Sequence, residues 1–151
     1  MEYRKAEVND IETLVAFRKQ QLIDEKEIPV GNIDRELTNF FEKCLKEGSL
    51  IQYVAIDGGA IVATGGVHFY AYPPTFTNRT GKTAYIASMY TLPAYRGRGI
   101  ATALINILIE EAYSRDYSRI RLFASEEGRR VYAKLGFEDT PGFMKRDKGG
   151  G

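Results

Sequence analysis

The sequence predicts an α+β fold in one domain, with its elements in the order β-αα-βββ-α-β-α-β. Three observations carry this. A chain of 151 residues is the size of one domain and needs no disulfide or metal to hold a core. Its 44% hydrophobic and 27% charged residues are ordinary for a soluble globular chain. The apolar pattern switches between a period of two and a period of 3.6, with Gly, Pro, Asn and Asp at the switches.

Residues 2–7 read as a first short strand. Asn9 has the character of a helix cap, and Glu12 three residues on completes a capping box. Ile11, Leu14, Val15, Leu22 and Ile23 give that helix its apolar face, and it ends before Pro29. A second helix follows Asn32, with Ile33, Leu37, Phe40, Phe41, Cys44 and Leu45 on one side and Gly48 closing it. Leu50 to Ile56 is a strand, Asp57-Gly58-Gly59 a hairpin turn, and Ala60 to Tyr70 the returning strand. Residues 71–82, with Pro73, Pro74 and Asn78, form a loop, and Thr83 to Leu92 is the next strand. A long helix follows, with Ile100, Ala101, Leu104, Ile105, Leu108, Ile109 and Ala112 on one face. Ile120 to Ala124 is a strand. Ser125 caps a short helix with Glu126 and Glu127 in its first turn, and Gly136 ends it so that Phe137 packs back. Phe137 to Lys145 is expected to form a last hairpin. The domain is expected to span residues 1–147, with 148–151 an unstructured tail.

Several classes of function are set aside by composition. A net charge of +1 gives no reason to expect a nucleic-acid or membrane partner, although Arg115, Arg119, Arg121, Arg129 and Arg130 cluster locally. Cys44 is the sole cysteine, so there is no internal disulfide and no thiolate metal site, and its place on an apolar stripe favours a buried structural thiol. No metal is expected. No apolar run approaches the ~20 residues of a membrane span. The opening Met1-Glu2-Tyr3-Arg4 is unlike a signal peptide, and the chain is expected to be cytoplasmic. The oligomeric state stays open, a homodimer included.

The chemistry concentrates in Leu92-Pro93-Ala94-Tyr95-Arg96-Gly97-Arg98-Gly99-Ile100-Ala101, which joins a strand to a helix. Gly97 and Gly99 allow a sharp turn whose N–H groups converge. The helix start adds free N–H groups and a positive dipole end, and Arg96 and Arg98 add charge. Together they suit a pyrophosphate. The run lacks the Lys-Ser/Thr of a P-loop, and Thr102 stands where a dinucleotide fold has its third glycine. The bland alternative is an exposed turn with solvated arginines.

This segment resembles the acetyl-CoA loop of the GCN5-related N-acetyltransferase family, Arg/Gln-x-x-Gly-x-Gly/Ala, at Arg96, Gly99 and Ala101. Ser125-x-x-Gly128-x-x-x-Tyr132-x-x-x-Gly136-Phe137 resembles a second signature of the same family. The order of strands and helices is similar from end to end. The resemblance implies a mixed, mostly antiparallel central sheet flanked by helices, and transfer of an acetyl group from acetyl-CoA to a primary amine by direct attack. It implies that the pantetheine arm lies along Met89, Tyr90 and Thr91 as an extra strand, and that the pyrophosphate meets the amides from Arg96 to Ala101, among them Gly97, Arg98, Gly99 and Ile100. It also implies that Ser125 and Gly128 border the cofactor, Gly128 leaving room for it, and that Tyr132 protonates the leaving thiolate.

Each role has a plainer counterpart. Ser125 can be only a helix cap, and Tyr132 only a packed aromatic beside Val131 and Leu135. A lysine-like amine, with pKa ~10.4, must lose a proton before it attacks. The strand Thr83 to Leu92 offers no carboxylate for that. His68 is the chemical type for a base, but a lone strand histidine is more often structural, so a solvent route past Ser88 and Tyr90 is preferred. Asp24, Glu25 and Glu27 near Phe69, Tyr70, Tyr72 and Phe76 suit a cationic small-molecule or peptide amine, or are a solvated helix end beside core aromatics. A non-catalytic acyl-CoA-binding module is the alternative function, which Tyr132 and Gly128 argue against.

Overall fold

Two-residue alternation and the Gly58-Gly59 turn build an antiparallel meander that a fifth, parallel strand extends. The computed structural model describes residues 1–149. Its strands are β1 (Glu2–Lys5), β2 (Leu50–Asp57), β3 (Ala60–Ala71), β4 (Lys82–Thr91) and β5 (Arg119–Leu122). They form one sheet in the order β1-β2-β3-β4-β5, antiparallel except for the parallel β4–β5 pair. The helices are α1 (Ile11–Asp24), α2 (Asp34–Glu47), α3 (Ile100–Ser114) and α4 (Arg129–Lys134). The expected α+β architecture, a mixed and mostly antiparallel sheet between helices, is the observed one.

The helices cover both faces of the sheet. Ile11, Leu14 and Val15 of α1 and Phe41 and Cys44 of α2 pack on Leu50 and Val54. On the opposite face Ile105, Leu108 and Ala112 of α3 meet Ile51, Val67, Ala84 and Ile86, with Val131, Tyr132 and Leu135 of α4 at the edge. Cys44 is buried, as its stripe position requires. Ile33 and Phe40, also assigned to the apolar side of α2, are partly exposed.

Three local expectations are corrected. The first helix is not opened by an Asn9–Glu12 box. A short 3-10 turn, Val8–Asp10, precedes it, and the Asp10 carboxylate accepts from the Glu7 amide at 2.7 Å and from both terminal nitrogens of Arg4 at 2.8 and 3.1 Å. Asp10 directly precedes α1 but its side chain caps no α1 amide; it is held by Arg4, whose guanidinium keeps its carboxyl below the usual range. The helix expected from Ser125 begins only at Arg129, although Ser125 Oγ does accept from the Gly128 amide at 3.1 Å. The Phe137–Lys145 hairpin is absent. Residues 137–148 carry no strand, and Phe143 and Met144 are almost fully exposed. Pro141 has no N–H to give a ladder, and β5 has only four residues to offer as a template. Of the tail assigned to 148–151, residues 150 and 151 lie outside the described residues.

The far end of β4 is irregular. The β4–β5 ladder covers only Thr83–Ile86 against Arg119–Leu122. Immediately after it, β4 bulges. Ala87 pairs with Gly66 and Tyr90 with Thr64, so Ser88 and Met89 share the single partner position of Gly65, and Ser88 has a φ of 58°. A bulge bends and twists the strand that carries it. The end of β4, from Ala87 to Thr91, is therefore left without a neighbour on its β5 side.

Candidate active site

The free edge of β4 leads into the glycine loop. Tyr90 is buried, its ring 5.0 Å from that of Phe17 on α1. Pro93–Tyr95 form a 3-10 turn, and Gly97 and Gly99 take φ values of 76° and 80° before α3 begins at Ile100. A Cβ at either glycine would meet nothing within 4 Å, so backbone conformation and not crowding calls for glycine here. The Ala103 amide donates to the Gly99 carbonyl at 3.0 Å. Among the described residues, the amides from Gly97 to Thr102 donate to no protein acceptor. Thr102, which the sequence motif leaves out, thus belongs with the motif's own residues. Six unpaired N–H groups at the start of a 15-residue helix form an anion cradle.

The two arginines of this loop differ in use. Arg98 lies over the Tyr95 ring, 5.0 Å from its centre. Arg96 turns the other way, towards α1. Its Nε donates to the Thr91 carbonyl at 2.9 Å, its Nη2 lies 3.3 Å from Asp24 Oδ2, and its guanidinium sits 5.6 Å from the centre of the Tyr90 ring. Sequence patterning credited both side chains to the anion. It has no signal for a partner 72 residues away.

Tyr132 lies on α4, half-buried against the core on the α3 side of the sheet. Burial lifts its hydroxyl above the usual tyrosine range, and the negative charge of Glu25 at the end of α1 adds to the shift. The hydroxyl therefore keeps its proton at neutral pH. The Phe137 amide donates to the Tyr132 carbonyl at 3.1 Å, and the two rings meet edge to face at 6.0 Å, so Phe137 packs back as expected. A Cβ at Gly128 would come within 2.9 Å of the Tyr132 ring. The space this glycine leaves is filled by the tyrosine itself.

His68 is placed elsewhere. It stands on the α1–α2 face of the sheet, opposite Leu50 and Tyr85, with its ring 5.5 Å from that of Phe40. Burial lowers its pKa, and Arg18 adds to the effect. Tyr132 belongs to the α3 side, so the two residues named for proton transfer sit against different layers. Of the aromatics assigned to the acceptor side, Phe69 is engaged by Tyr117 at 4.7 Å and Arg115 at 5.2 Å, whereas Tyr72 and Phe76 are exposed. A hollow of about 490 Å³ lies between α1 and the segment leading to α2, lined by Ile23, Ile28, Val30 and Ile33 with Lys19 and Glu27. Among the described residues no group of three or more His, Cys, Asp or Glu is placed to hold a metal ion, and no helix is long and apolar enough to cross a membrane.

A family model for GNAT acetyltransferases matches residues 13–137, which contain the free β4 edge, the amide cradle and Tyr132. The chain belongs to the GNAT acetyltransferase family. A predicted acetyltransferase of Clostridium acetobutylicum, solved with acetyl-CoA, is 44% identical and superimposes with a TM-score of 0.93 over 97% of this chain and 95% of that one. A GCN5-related N-acetyltransferase of Ralstonia eutropha is 26% identical, with a TM-score of 0.90 over 97% of each chain. The mouse thialysine N-epsilon-acetyltransferase is 30% identical over 84 residues, 54% of this chain and 47% of that one. The chain thus spans about half the length of the curated relative it matches.

Proposed function

We propose that this GNAT protein transfers the acetyl group of acetyl-CoA to a primary amine, on a small molecule or a peptide, by direct attack within a ternary complex. The observation that carries the proposal is the continuity of the free β4 edge with the unpaired amides of Gly97 to Thr102. An extended arm ending in a pyrophosphate needs an unpaired strand and, one turn further, a cluster of N–H donors. In this reading Met89, Tyr90 and Thr91 offer backbone groups to the pantetheine arm, and the loop amides hold the phosphates. Bound there, acetyl-CoA supplies an activated acyl group.

The chain's own groups then have three tasks. A backbone N–H near Tyr90 donates to the acetyl oxygen as charge develops on it. Tyr132, protonated at neutral pH, gives its proton to the departing thiolate. The attacking amine gives its proton to solvent by way of water near Ser88 and Tyr90. His68 stays outside these steps, since its ring is committed to Phe40 in the other layer. One N–C bond forms and one C–S bond breaks; of the two protons the ammonium nitrogen loses, one goes to solvent before attack and the other, through water, restores the Tyr132 phenol whose proton went to sulfur. Glu25 and Glu27 favour a cationic acceptor. A half-buried tyrosine that stays protonated supports catalysis over a module that only binds acyl-CoA.

The cofactor test is thermal. Acetyl-CoA at about 100 times its Kd should add ~2.7 kcal/mol and raise Tm by roughly 5–10 °C. Gly99→Asp, which sets a carboxylate beside the phosphates, should remove that shift. Gly99→Ala, which carries the backbone strain without the charge, should keep it. A Gly99→Asp protein that binds acetyl-CoA like the parent removes the loop from the cofactor site. A screen of amines for acetyl-CoA-dependent thiol release then identifies the acceptor.

A further inference from the structure

Arg96 stands at the head of the glycine loop, yet its side chain makes three contacts away from it, two with the end of β4 and one with the end of α1. Nε donates to the Thr91 carbonyl at 2.9 Å, which fixes the plane of the guanidinium. Nη2 meets Asp24 Oδ2 at 3.3 Å, in the last residue of α1. Its guanidinium lies over the Tyr90 ring at 5.6 Å, and that ring packs at a tilt against Phe17 of α1 at 5.0 Å. The Arg96 amide donates to the Pro93 carbonyl, at 3.3 Å. Loop, strand end and helix end thus converge on one side chain. The next residue of the helix end, Glu25, is the one whose charge acts on Tyr132.

We propose that Arg96 is a positioning residue, a strut that ties the last turn of α1 to the cofactor loop, so that filling the loop orders the acceptor side of the cleft. This rests on the loop being the acetyl-CoA site. A half-exposed ion pair adds little to stability, and stability is not its task. Arginine suits the task because a planar fork addresses a carbonyl and a carboxylate at fixed angles while its face stacks on a ring. Lysine offers one point charge and meets one of the three demands. When ligand holds the backbone from Gly97 to Thr102, the Cα of Arg96 is held too. Asp24, and with it Glu25, loses freedom to move away from Tyr132.

Amide hydrogen exchange with and without acetyl-CoA reads this out in the intact chain. The reporters are Ala103 at the start of α3 and Glu25, Lys26 and Glu27 at the end of α1, which donate to Gly99, Gln21, Ile23 and Leu22 respectively. With acetyl-CoA at about 100 times its Kd, exchange at all four should slow at least about tenfold in the parent. In Arg96→Gln and Arg96→Lys the slowing at Ala103 should persist and that at 25–27 should vanish. Asp24→Asn, an exposed and conservative change, should give the same split should the Arg96 variants fold poorly. A merely structural role would speed exchange at 25–27 equally with and without acetyl-CoA, and that result overturns the strut. So does a parent in which acetyl-CoA protects Ala103 alone. Protection at neither place overturns the cofactor-site reading and the strut with it.

Discussion

Tyr132 and His68 show how environment separates two residues of similar promise. Both are half-buried, and burial favours the neutral form of each. For a tyrosine the neutral form is the proton donor, so the effect preserves an acid. For a histidine it removes the cation and leaves a base, but one packed at a tilt against Phe40 in the other layer. Two substitutions separate them. Tyr132→Phe should lower kcat about 100-fold and leave the Kd for acetyl-CoA within about twofold, because the ring that fills the space beside Gly128 remains. His68→Gln should leave kcat/KM and its pH profile unchanged. Its effect belongs in stability. A histidine whose folded pKa is lowered contributes stability above its unfolded pKa of ~6.5, and that contribution is lost as pH falls through the folded value. Urea titrations from pH 7.5 to 5 should therefore show a steeper loss in the parent than in His68→Gln. A kcat/KM limb near pH 6.5 that disappears in the variant would make His68 the base after all.

At the scale of elements, glycines that look alike in the sequence do different work. Gly97 and Gly81 both have positive φ, at 76° and 71°. Around Gly97 there is open space, whereas a Cβ at Gly81 would overlap the Tyr72 carbonyl, whose own amide donates to the Gly81 carbonyl at 2.9 Å. Backbone cannot swing aside as a flexible side chain does. Gly97→Ala should then cost only the conformational term of about 1 kcal/mol. Gly81→Ala should cost at least about 2 kcal/mol more and lower Tm by a further ~4–8 °C. Equal Tm values for the two would mean that the 72–81 loop does not close on Gly81.

Across the whole molecule, one helix joins the core to the cluster of unpaired amides. Leu104, fully buried, packs with Ile100 on Ala55, Val62 and Ala63, two turns or less from the unpaired amides. Leu104→Ala should destabilise by about 3–5 kcal/mol, seen as a lower urea midpoint with an unchanged m-value. Its acetyl-CoA affinity at 15 °C should fall as well, since the same packing sets the start of α3. A variant that loses stability and keeps full affinity would uncouple the cradle from the core.

How much of the fold and the site was legible beforehand depends on the range of each interaction. The sequence by itself determined the element order up to α4, most of each buried stripe, the Gly58-Gly59 turn and the glycine loop at the head of α3, because periodicity and backbone conformation act over a few residues. It also placed Tyr132 on a short helix ended by Gly136, through the spacing of a local motif. It overreached at the last hairpin, where a plausible strand pattern met no strand to pair with. What only the tertiary structure decided lies across the chain. The bulge at Ser88–Met89 depends on the register with β3. Asp10 was drawn to Arg4 and the Glu7 amide. Arg96 was drawn to Asp24, and His68 was assigned to the layer away from Tyr132. Each of these is a contact between segments that meet only once the sheet has formed, and no local pattern records which face or which partner a side chain will find there.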